Sequence, residues 1–125
     1  MRLLLDAHAL LWWLADDPSL SKAAREAIAS ASNHVAVSAI TVWEIGIKQA
    51  LGKLEAPADL VETIETSGFD GLPVTMVHGA AAGRLVRHHD DPFDRMLIAQ
   101  AQAEGLTVVT RDEAIGRYGV AILAA

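Results

Sequence analysis

The chain contains no cysteine among its 125 residues. Disulfide bonds, thiolate metal sites and thiol nucleophiles are therefore excluded together, and any metal ion must be held by oxygen or imidazole. Apolar segments are also short: the longest, Ala9 to Ala15, falls well below the roughly 20 residues of a membrane-spanning helix. Because the N-terminus lacks a basic region and a cleavage-site pattern, we expect a cytoplasmic protein without membrane contact.

Basic residues are scarce as well. Lysine and arginine number 10 against 16 acidic residues, which gives a net charge of -6 at pH 7. This balance disfavours nucleic acid as a partner, because phosphate contacts are usually made by lysine and arginine. The objection loses weight where several carboxylates converge on divalent cations, since the ions reverse the local field.

Apolar material is plentiful, with 52% hydrophobic and 21% charged residues. Such a chain can bury enough surface to offset the entropy of ordering, so it should fold into a compact globule. Its length suits one domain covering residues 1–125, and no internal repeat, linker or low-complexity segment divides it.

Short apolar runs without alternation predict strands that are buried on both faces, as in a parallel sheet. They are Arg2–Asp6, Val35–Ile40, Leu106–Thr110, Val120–Leu123 and, more weakly, Leu72–Thr75. Helical stretches lie between them: Ala7–Ala15, Lys22–Ala31, Thr41–Leu51, Ala58–Thr66, His78–His88 and Pro92–Glu104. Strands that alternate with helices predict right-handed crossovers and a three-layer α/β/α sandwich around a mostly parallel sheet.

Several of these helices carry explicit end signals. Gly52, Gly68 and Gly105 stand where a glycine would adopt the left-handed turn that follows a helix. Asp91 and Pro92 form an N-cap followed by proline at the first helical position. These local signals support the predicted boundaries.

Three acids are predicted at one rim of the sheet. Asp6 closes the first strand, Glu44 lies early in the helix after the second, and Asp112 follows the Leu106–Thr110 strand. Ligands of open parallel sheets bind beyond the carboxyl ends of the strands, which is where these acids should lie. Asp94 lies in the first turn of the helix opened by Asp91, but topology alone does not bring that turn to the same rim.

Each acid also has a simple structural explanation as a helix cap, a dipole partner, a turn residue or a solvated side chain. Gathered in one cleft, however, the four carboxylates would repel one another unless a cation joined them. With oxygen ligands the natural cation is Mg²⁺ or Mn²⁺, which can activate water and stabilise a leaving oxygen in phosphodiester hydrolysis. Thr110 either orients the water or an acid, or is an ordinary residue at a strand end.

Four segments, in this order, resemble the PIN-domain nucleases and, within them, the VapC-type toxins. The segments are LLLDAHALLWWL with Asp6, SAITVWEIGIK with Glu44, HHDDPFDRMLIAQA with Asp94 before Arg95, and LTVVTRDEAI with Thr110 and Asp112. Together they span almost the whole chain.

The resemblance implies a PIN-like α/β/α fold and Mg²⁺- or Mn²⁺-dependent endoribonuclease activity on RNA. It also implies that Asp6, Glu44, Asp94 and Asp112 are the acidic site, with Asp6 and Asp94 as direct metal ligands, and it places the Pro92 helix N-terminus at the rim. Asp91 stays the helix cap, because the motif matches at the aspartate before Arg95. A VapB-type antitoxin and a toxin homodimer are the implied partners.

Other side chains leave alternatives open. His88 and His89 suggest zinc, but they lack the spacing of a zinc motif. With Arg84 and Arg87 they either hold RNA or form a solvated helix face.

Two neighbouring pairs of larger side chains are also open to interpretation. Arg95 and Arg111 each adjoin a site acid and could steady carboxylates or contact phosphate. Trp12 and Trp13 cannot both face the same way on a helix, so we expect one in the core and the other at least partly outward. The outward one either packs or contacts a helix of a partner such as the antitoxin.

Two other enzyme classes fit poorly. A haloacid dehalogenase-type phosphatase needs a second aspartate two residues after Asp6, where this chain has His8, and a later lysine, whereas none follows Lys53. A Rossmann domain needs a glycine-rich first turn. A non-catalytic binding module with the same fold, or a housekeeping nuclease without an antitoxin, remains possible, although all four acids are retained.

Overall fold

The computed structural model describes the whole chain, residues 1–125. Its five strands form one sheet in which every neighbouring pair is parallel. The strands are β1 (Arg2–Leu5), β2 (His34–Ser38), β3 (Asp70–Leu72), β4 (Thr107–Thr110) and β5 (Ile122–Ala124). Their order across the sheet is β3-β2-β1-β4-β5.

Six α-helices connect the strands. They are α1 (Ala7–Leu14), α2 (Lys22–Ala29), α3 (Ala39–Ala50), α4 (Leu60–Thr66), α5 (Met76–Arg84) and α6 (Pro92–Glu104), and a 3-10 helix follows at Glu113–Tyr118. None of the helices has both the length and the apolar character that crossing a bilayer requires.

The apolar residues of the strands serve both faces of the sheet, which makes three layers. Leu3 and Leu5 of β1 pack in a core with Leu10 of α1 and other residues of the first layer. Leu4, which points the opposite way, packs in a second core with Leu97 of α6. The predicted α/β/α sandwich with a parallel sheet is thereby confirmed.

The middle of the sheet is where the chain reverses its direction of progress. From β1 the chain winds outward through β2 and β3, then returns to the other side of β1 for β4 and β5. Leu5 pairs with Val37 of β2 and with Val109 of β4. Residues that follow these three strands therefore meet at one rim, at the switch point where open α/β sheets bind ligands.

The local end signals behave as predicted. Gly105 ends α6 with φ of 67°, in the left-handed region that favours glycine. At the other end of α6, the Asp91 side chain accepts hydrogen bonds from the main-chain N–H groups of Phe93 and Asp94.

Several predicted boundaries are wrong, including those of β2, β3, α5 and β5, and polar caps explain the first two. The second strand stops at Ser38 instead of Ile40 because the Ser38 hydroxyl accepts a hydrogen bond from Ile40 N–H and starts α3. The third strand lies at Asp70–Leu72, ahead of the predicted Leu72–Thr75, since Thr75 is the N-cap of α5. An apolar run cannot by itself reveal where a hydroxyl side chain will begin a helix.

The errors at α5 and β5 lie later in the chain. Helix α5 begins earlier than predicted and ends at Arg84, so the predicted residues to His88 are irregular. The last strand is Ile122–Ala124, shifted from the predicted Val120–Leu123, because the left-handed Gly119 and its turn occupy the preceding positions.

Candidate active site

Asp6 follows β1 directly and caps the helix that comes next. Its Oδ1 accepts a hydrogen bond of 2.9 Å from Ala9 N–H, so the carboxylate caps α1. Burial raises the pKa of Asp6, while hydrogen bonds with the Thr110 side chain and Ala9 N–H oppose that shift. The structural role predicted as an alternative is therefore real, and it fixes the carboxylate at the rim of the sheet.

Glu44 reaches the same rim from α3. Although it is charged, only 6% of its surface is exposed. Its Oε2 lies 2.6 Å from Nζ of Lys48, one helical turn later, so the pair satisfies the buried carboxylate. The hydrogen bond with Glu44 raises the pKa of Lys48, and the negative charges of Asp91 and Asp94 act in the same direction.

Asp94 has the most perturbed carboxyl group of the site. Burial, followed by the negative charge of Asp91, raises the pKa of Asp94 to about 7, and the charges of Glu44 and Asp6 add to the effect. The positive charge of His89 only partly offsets these contributions. Carboxylates from α1, α3 and α6 therefore act electrostatically on one another, as expected for a shared cleft.

Asp112 is connected to the site through Thr110. The Thr110 Oγ1 accepts a hydrogen bond of 3.0 Å from Asp112 N–H and also contacts Asp6, so one hydroxyl joins two acids. The Asp112 side chain caps the 3-10 helix by accepting from Ala114 N–H at 2.9 Å. Although burial alone would raise the pKa of Asp112, the hydrogen bonds from Ala114 and His89 lower it below its usual value.

His89 lies between two of the acids. Its Nε2 is 2.9 Å from Oδ2 of Asp94 and 2.7 Å from Oδ2 of Asp112. Nδ1 accepts a hydrogen bond of 3.2 Å from Asp91 N–H, so Nε2 carries a ring proton and donates it to the carboxylates. Burial alone would lower the pKa of His89, but the hydrogen bond to Asp112 and the charge of Asp94 raise it.

The segment that carries His89 is held by two side chains from other elements. The guanidinium of Arg95 donates to the main-chain oxygens of Val86 and His89, and to two carbonyls at the end of α5, Ala82 and Leu85.

Tyr118 holds the same segment from the opposite direction. Its hydroxyl accepts from the main-chain N–H groups of His88 and His89 and donates to the Val86 oxygen. The segment therefore has several hydrogen-bond partners, although it has no regular secondary structure.

A cleft of about 490 Å³ lies beyond the carboxyl ends of β1 and β4. Its lining residues are Asp6, Ala7, His8, Trp12, Glu44, Lys48, Asp91, Asp94, Arg111 and Asp112. All four predicted acids are brought together there, and the Thr110 hydroxyl supports two of them. The N-terminus of α6 lies at the same rim, where the family resemblance had placed it.

Sequence reasoning missed three parts of the site. Lys48 was not singled out, although Glu44 and Lys48 have the i,i+4 spacing of a helical ion pair. Asp91 was assigned only as a cap, yet it also lines the cleft and acts on Asp94. The contact of His89 with two acids depends on an irregular segment, so no periodic signal could have found it.

Arg95 requires a correction. The prediction that it steadies carboxylates or contacts phosphate is wrong for this structure, because its guanidinium is engaged by four main-chain oxygens.

The histidines and the nearby arginines have separate environments. The ring of His88 packs against Tyr118 with 5.1 Å between centroids, away from the acids that His89 contacts. Arg87 pairs with Asp90 at 3.7 Å, and both side chains are highly exposed. The alternative of a solvated surface therefore fits Arg87.

The two tryptophans also differ. Trp12 lines the acidic cleft and lies beneath Arg111, whereas Trp13 packs near Phe69 with 6.3 Å between ring centroids. The expectation of one core and one outward tryptophan is wrong, because both are half-buried and pack against the first core.

The donor set of the cleft fits a hard divalent cation. Five carboxylates line it, and the pKa of Asp94 is raised towards neutrality by burial and by its acidic neighbours. Carboxylate oxygens of Asp94 and Asp112 lie within 4.8 Å of each other, with His89 between them. Oxygen-rich sites of this kind suit Mg²⁺ and Mn²⁺, which relieve the mutual repulsion of the acids.

Comparison with known proteins agrees with this geometry. The model of the PIN domain family matches residues 3–121. Ribonuclease VapC22 of Mycobacterium tuberculosis (strain ATCC 25618 / H37Rv) is 33% identical over 116 residues, which cover 87% of this chain and 85% of the relative.

Solved structures share the fold at lower identity. A chain of DNA-bound VapBC from Salmonella typhimurium superposes with a TM-score of 0.70 at 22% identity, covering 98% of this chain and 97% of that one. A chain of VapBC2 from Rickettsia felis, bound to a DNA fragment from its promoter, also gives 0.70, at 14% identity and 98% coverage of both. The family match over nearly the whole length establishes that the chain belongs to the PIN-domain family.

Proposed function

We propose that the chain is a Mg²⁺- or Mn²⁺-dependent endoribonuclease and the toxin of a VapBC-type toxin–antitoxin module. The observation that carries the proposal is the convergence of Asp6, Glu44, Asp94 and Asp112, from four separate segments, on one cleft. The similarity to ribonuclease VapC22 supports RNA as the substrate.

Asp6 and Asp94 are the proposed direct metal ligands, and Glu44 and Asp112 complete the acidic site. A bound divalent ion would supply Lewis acidity for the scissile phosphate and lower the pKa of the attacking water. Both proposed ligands are held on rigid elements, Asp6 at the end of β1 and Asp94 in the first turn of α6. Such positions keep the carboxylates in place without a costly rearrangement when the ion binds.

Other residues position these acids. The Thr110 hydroxyl joins Asp6 to the main chain of Asp112. We propose that Thr110 orients these acids and takes no direct part in the chemistry. His89 donates to Asp94 and Asp112, and hydrogen bonds of this outer kind commonly tune metal ligands. Lys48 pairs with Glu44 and keeps that side chain directed along the cleft.

The decisive experiment is cleavage of single-stranded RNA by the purified chain. We expect cleavage with Mg²⁺ or Mn²⁺, none with EDTA, and a loss of at least about 100-fold for Asp94→Asn at saturating metal. Asp90→Asn is the matched control, because this substitution removes the same charge four residues earlier. Asp90 is highly exposed and pairs with Arg87. Full activity of Asp94→Asn would refute the assignment.

The toxin role is tested in growing cells. Expression of the chain in the cytoplasm without a partner should arrest cell growth, whereas expression of Asp6→Ala should not. Co-expression with a VapB-type antitoxin should restore growth, and the toxin should purify as a homodimer. Toxicity that persists in Asp6→Ala would mean that the effect does not arise from this site, and RNA cleavage without toxicity would favour a housekeeping nuclease.

A further inference from the structure

The guanidinium of Arg111 lies over the ring of a tryptophan at the edge of the cleft. It follows Thr110 at the end of β4, and its Cζ lies 4.3 Å from the ring centroid of Trp12 in α1. Its Nη2 donates to the main-chain oxygens of Ser19 and, at 3.1 Å, of Ala125. The indole and two main-chain oxygens therefore hold the guanidinium in place before any ligand arrives.

The stacked pair belongs to the wall of the acidic cleft. Arg111 and Trp12 both line it, together with Asp6 and Asp112. Trp12 is half-buried, whereas Arg111 is exposed, so part of the Arg111 side chain remains accessible to a ligand.

The positive charges of Arg111 and Lys48 have different partners. Lys48, the other strongly basic residue of the cleft besides Arg111, is paired with Glu44 at 2.6 Å. Arg111 forms no salt bridge with an aspartate or glutamate side chain and uses main-chain oxygens instead. Its positive charge is therefore not paired with an acidic side chain, although Asp6 and Asp112 line the same cleft.

A guanidinium held over an aromatic ring suits one ligand class especially well. Unpaired bases of single-stranded RNA stack on aromatic rings and on arginine planes, and the adjoining phosphate is attracted by the positive charge. A compact ammonium group supplies the charge but no planar surface. His8, whose ring centroid is 5.5 Å from that of Trp12, extends the same surface.

We propose that the stacked Arg111 and Trp12 side chains form a nucleotide subsite, in which an unpaired RNA base next to the scissile phosphate stacks on the guanidinium of Arg111. The subsite rests on the proposed function, because it lies beside the acids assigned to phosphodiester cleavage. It differs from them in needing no metal ion and in recognising the base as well as the backbone.

A purely structural role is the main competing explanation. The contacts of Arg111 join the segment around Ser19 and the strand end at Ala125 to α1, so Arg111→Ala can lower stability without any effect on a ligand. Thermal unfolding of every variant separates this effect from binding. A substitution that keeps the charge and removes only the plane tests stacking more directly.

The test is the affinity for a short fluorescein-labelled single-stranded RNA, measured by anisotropy with Ca²⁺ replacing Mg²⁺. We expect Arg111→Lys to weaken binding roughly fivefold and Arg111→Ala roughly tenfold or more, in line with the contribution of one stacked base. Lys22→Ala is the matched control, since Lys22 is 90% exposed on α2 and does not line the cleft; its affinity should stay within about twofold of the parent.

A second probe isolates the base. RNA of the same length in which the bases are replaced by abasic sites should bind the parent and Arg111→Lys with equal affinity, because only the phosphates remain. Since this comparison uses the parent and a conservative variant, it stays informative even if Arg111→Ala does not fold.

The subsite would be overturned by a parent chain that binds no RNA, by Arg111→Lys binding intact RNA as tightly as the parent, or by an equal Arg111→Lys deficit on both probes. Arg111 variants that bind RNA normally but lose a partner protein would assign the stack to that protein instead. The two proposals can fail separately. Arg111-dependent stacking without cleavage removes the nuclease, while cleavage with an unchanged KM in Arg111→Lys removes the subsite.

Discussion

Among the histidines that contact carboxylates, His78 and His89 have very different surroundings. His78 is buried on α5; its Nδ1 accepts from Thr75 N–H at 3.1 Å and its Nε2 lies 2.9 Å from Glu104. His89, at the cleft, has the same pattern, with Nδ1 accepting from Asp91 N–H and Nε2 directed at acids. The local hydrogen bonding is alike, but the surrounding charge is not.

The difference separates a structural cluster from the cluster proposed as the active site. His78 meets one carboxylate, which is 40% exposed and so well solvated. His89 meets two, within a cleft that holds three more, and one of its partners has a pKa raised to about 7. A fold that brings five carboxylates together sacrifices stability there, which is typical of sites that gain a cation or a substrate.

The largest effect on stability is expected in the structural cluster. His78→Ala removes a fully buried ring and leaves Thr75 N–H without its partner in the capping box, so it should lower the free energy of unfolding by about 2–3 kcal/mol. Chemical denaturation measures this change. Metal affinity of the folded variant should equal that of the parent, and a large loss of affinity would show that the clusters are coupled.

The corresponding change in the cleft should mainly affect metal binding. His89→Ala removes the donor shared by Asp94 and Asp112, so affinity for Mn²⁺ should fall about tenfold, as for other outer hydrogen-bond partners of metal ligands.

Two variants sharpen this prediction. His89→Gln restores an N–H donor and should recover most of the Mn²⁺ affinity measured by calorimetry. His88→Ala is the adjacent control, because that ring packs on Tyr118 away from the acids. Unchanged Mn²⁺ affinity in His89→Ala would contradict a positioning role.

Neutralising one carboxylate should change the free energy of unfolding in opposite directions in the two clusters. In the metal-free chain at about pH 8, Asp94→Asn should raise the free energy of unfolding by roughly 1–2 kcal/mol, because it removes a part-buried charge that its neighbours repel. Glu104→Gln should lower it slightly, since it weakens the contact with His78. Destabilisation by both substitutions would mean that the acids of the cleft are not in electrostatic conflict.

The smallest effect expected is a pH dependence of the metal-free chain. The pKa values of Asp94, Asp6 and His89 are all raised in the folded state, so the folded chain binds more protons than the unfolded chain as these groups titrate. Stability should therefore fall as the pH rises from about 5.5 to about 8. Thermal unfolding in EDTA measures the trend, and Mg²⁺ or Mn²⁺ should stabilise the chain more at the higher pH.

That trend should be weaker in Asp94→Asn, which lacks the most perturbed group. A metal-free melting temperature that rises over the same pH range would be inconsistent with the raised pKa values.

The sequence predicted the layers, the parallel sheet and the rim on which Asp6, Glu44 and Asp112 meet. These features follow from apolar runs and from residues that directly adjoin a strand end or an early helical turn. It could not predict how far each run extends as a strand, because Ser38 and Thr75 start helices through hydroxyl caps inside those runs. For Asp94, the arrival at the rim came from the family resemblance and not from topology.

The contacts around the acids depended on tertiary structure. The Arg95 guanidinium was predicted to serve an acid but finds four main-chain oxygens, since α5 ends early and exposes its last carbonyls to it. The same early end leaves an irregular segment, which brings His89 against two acids.

By itself, the sequence determined where strands and helices alternate, how α6 begins and ends, and which acids adjoin the strand ends, because each depends on neighbours within a few residues. Only the tertiary structure decided that His89, Lys48 and Asp91 would act on those acids and that Arg111 would lie on Trp12. Such contacts join side chains from different elements, so they exist only once the layers have packed around the sheet.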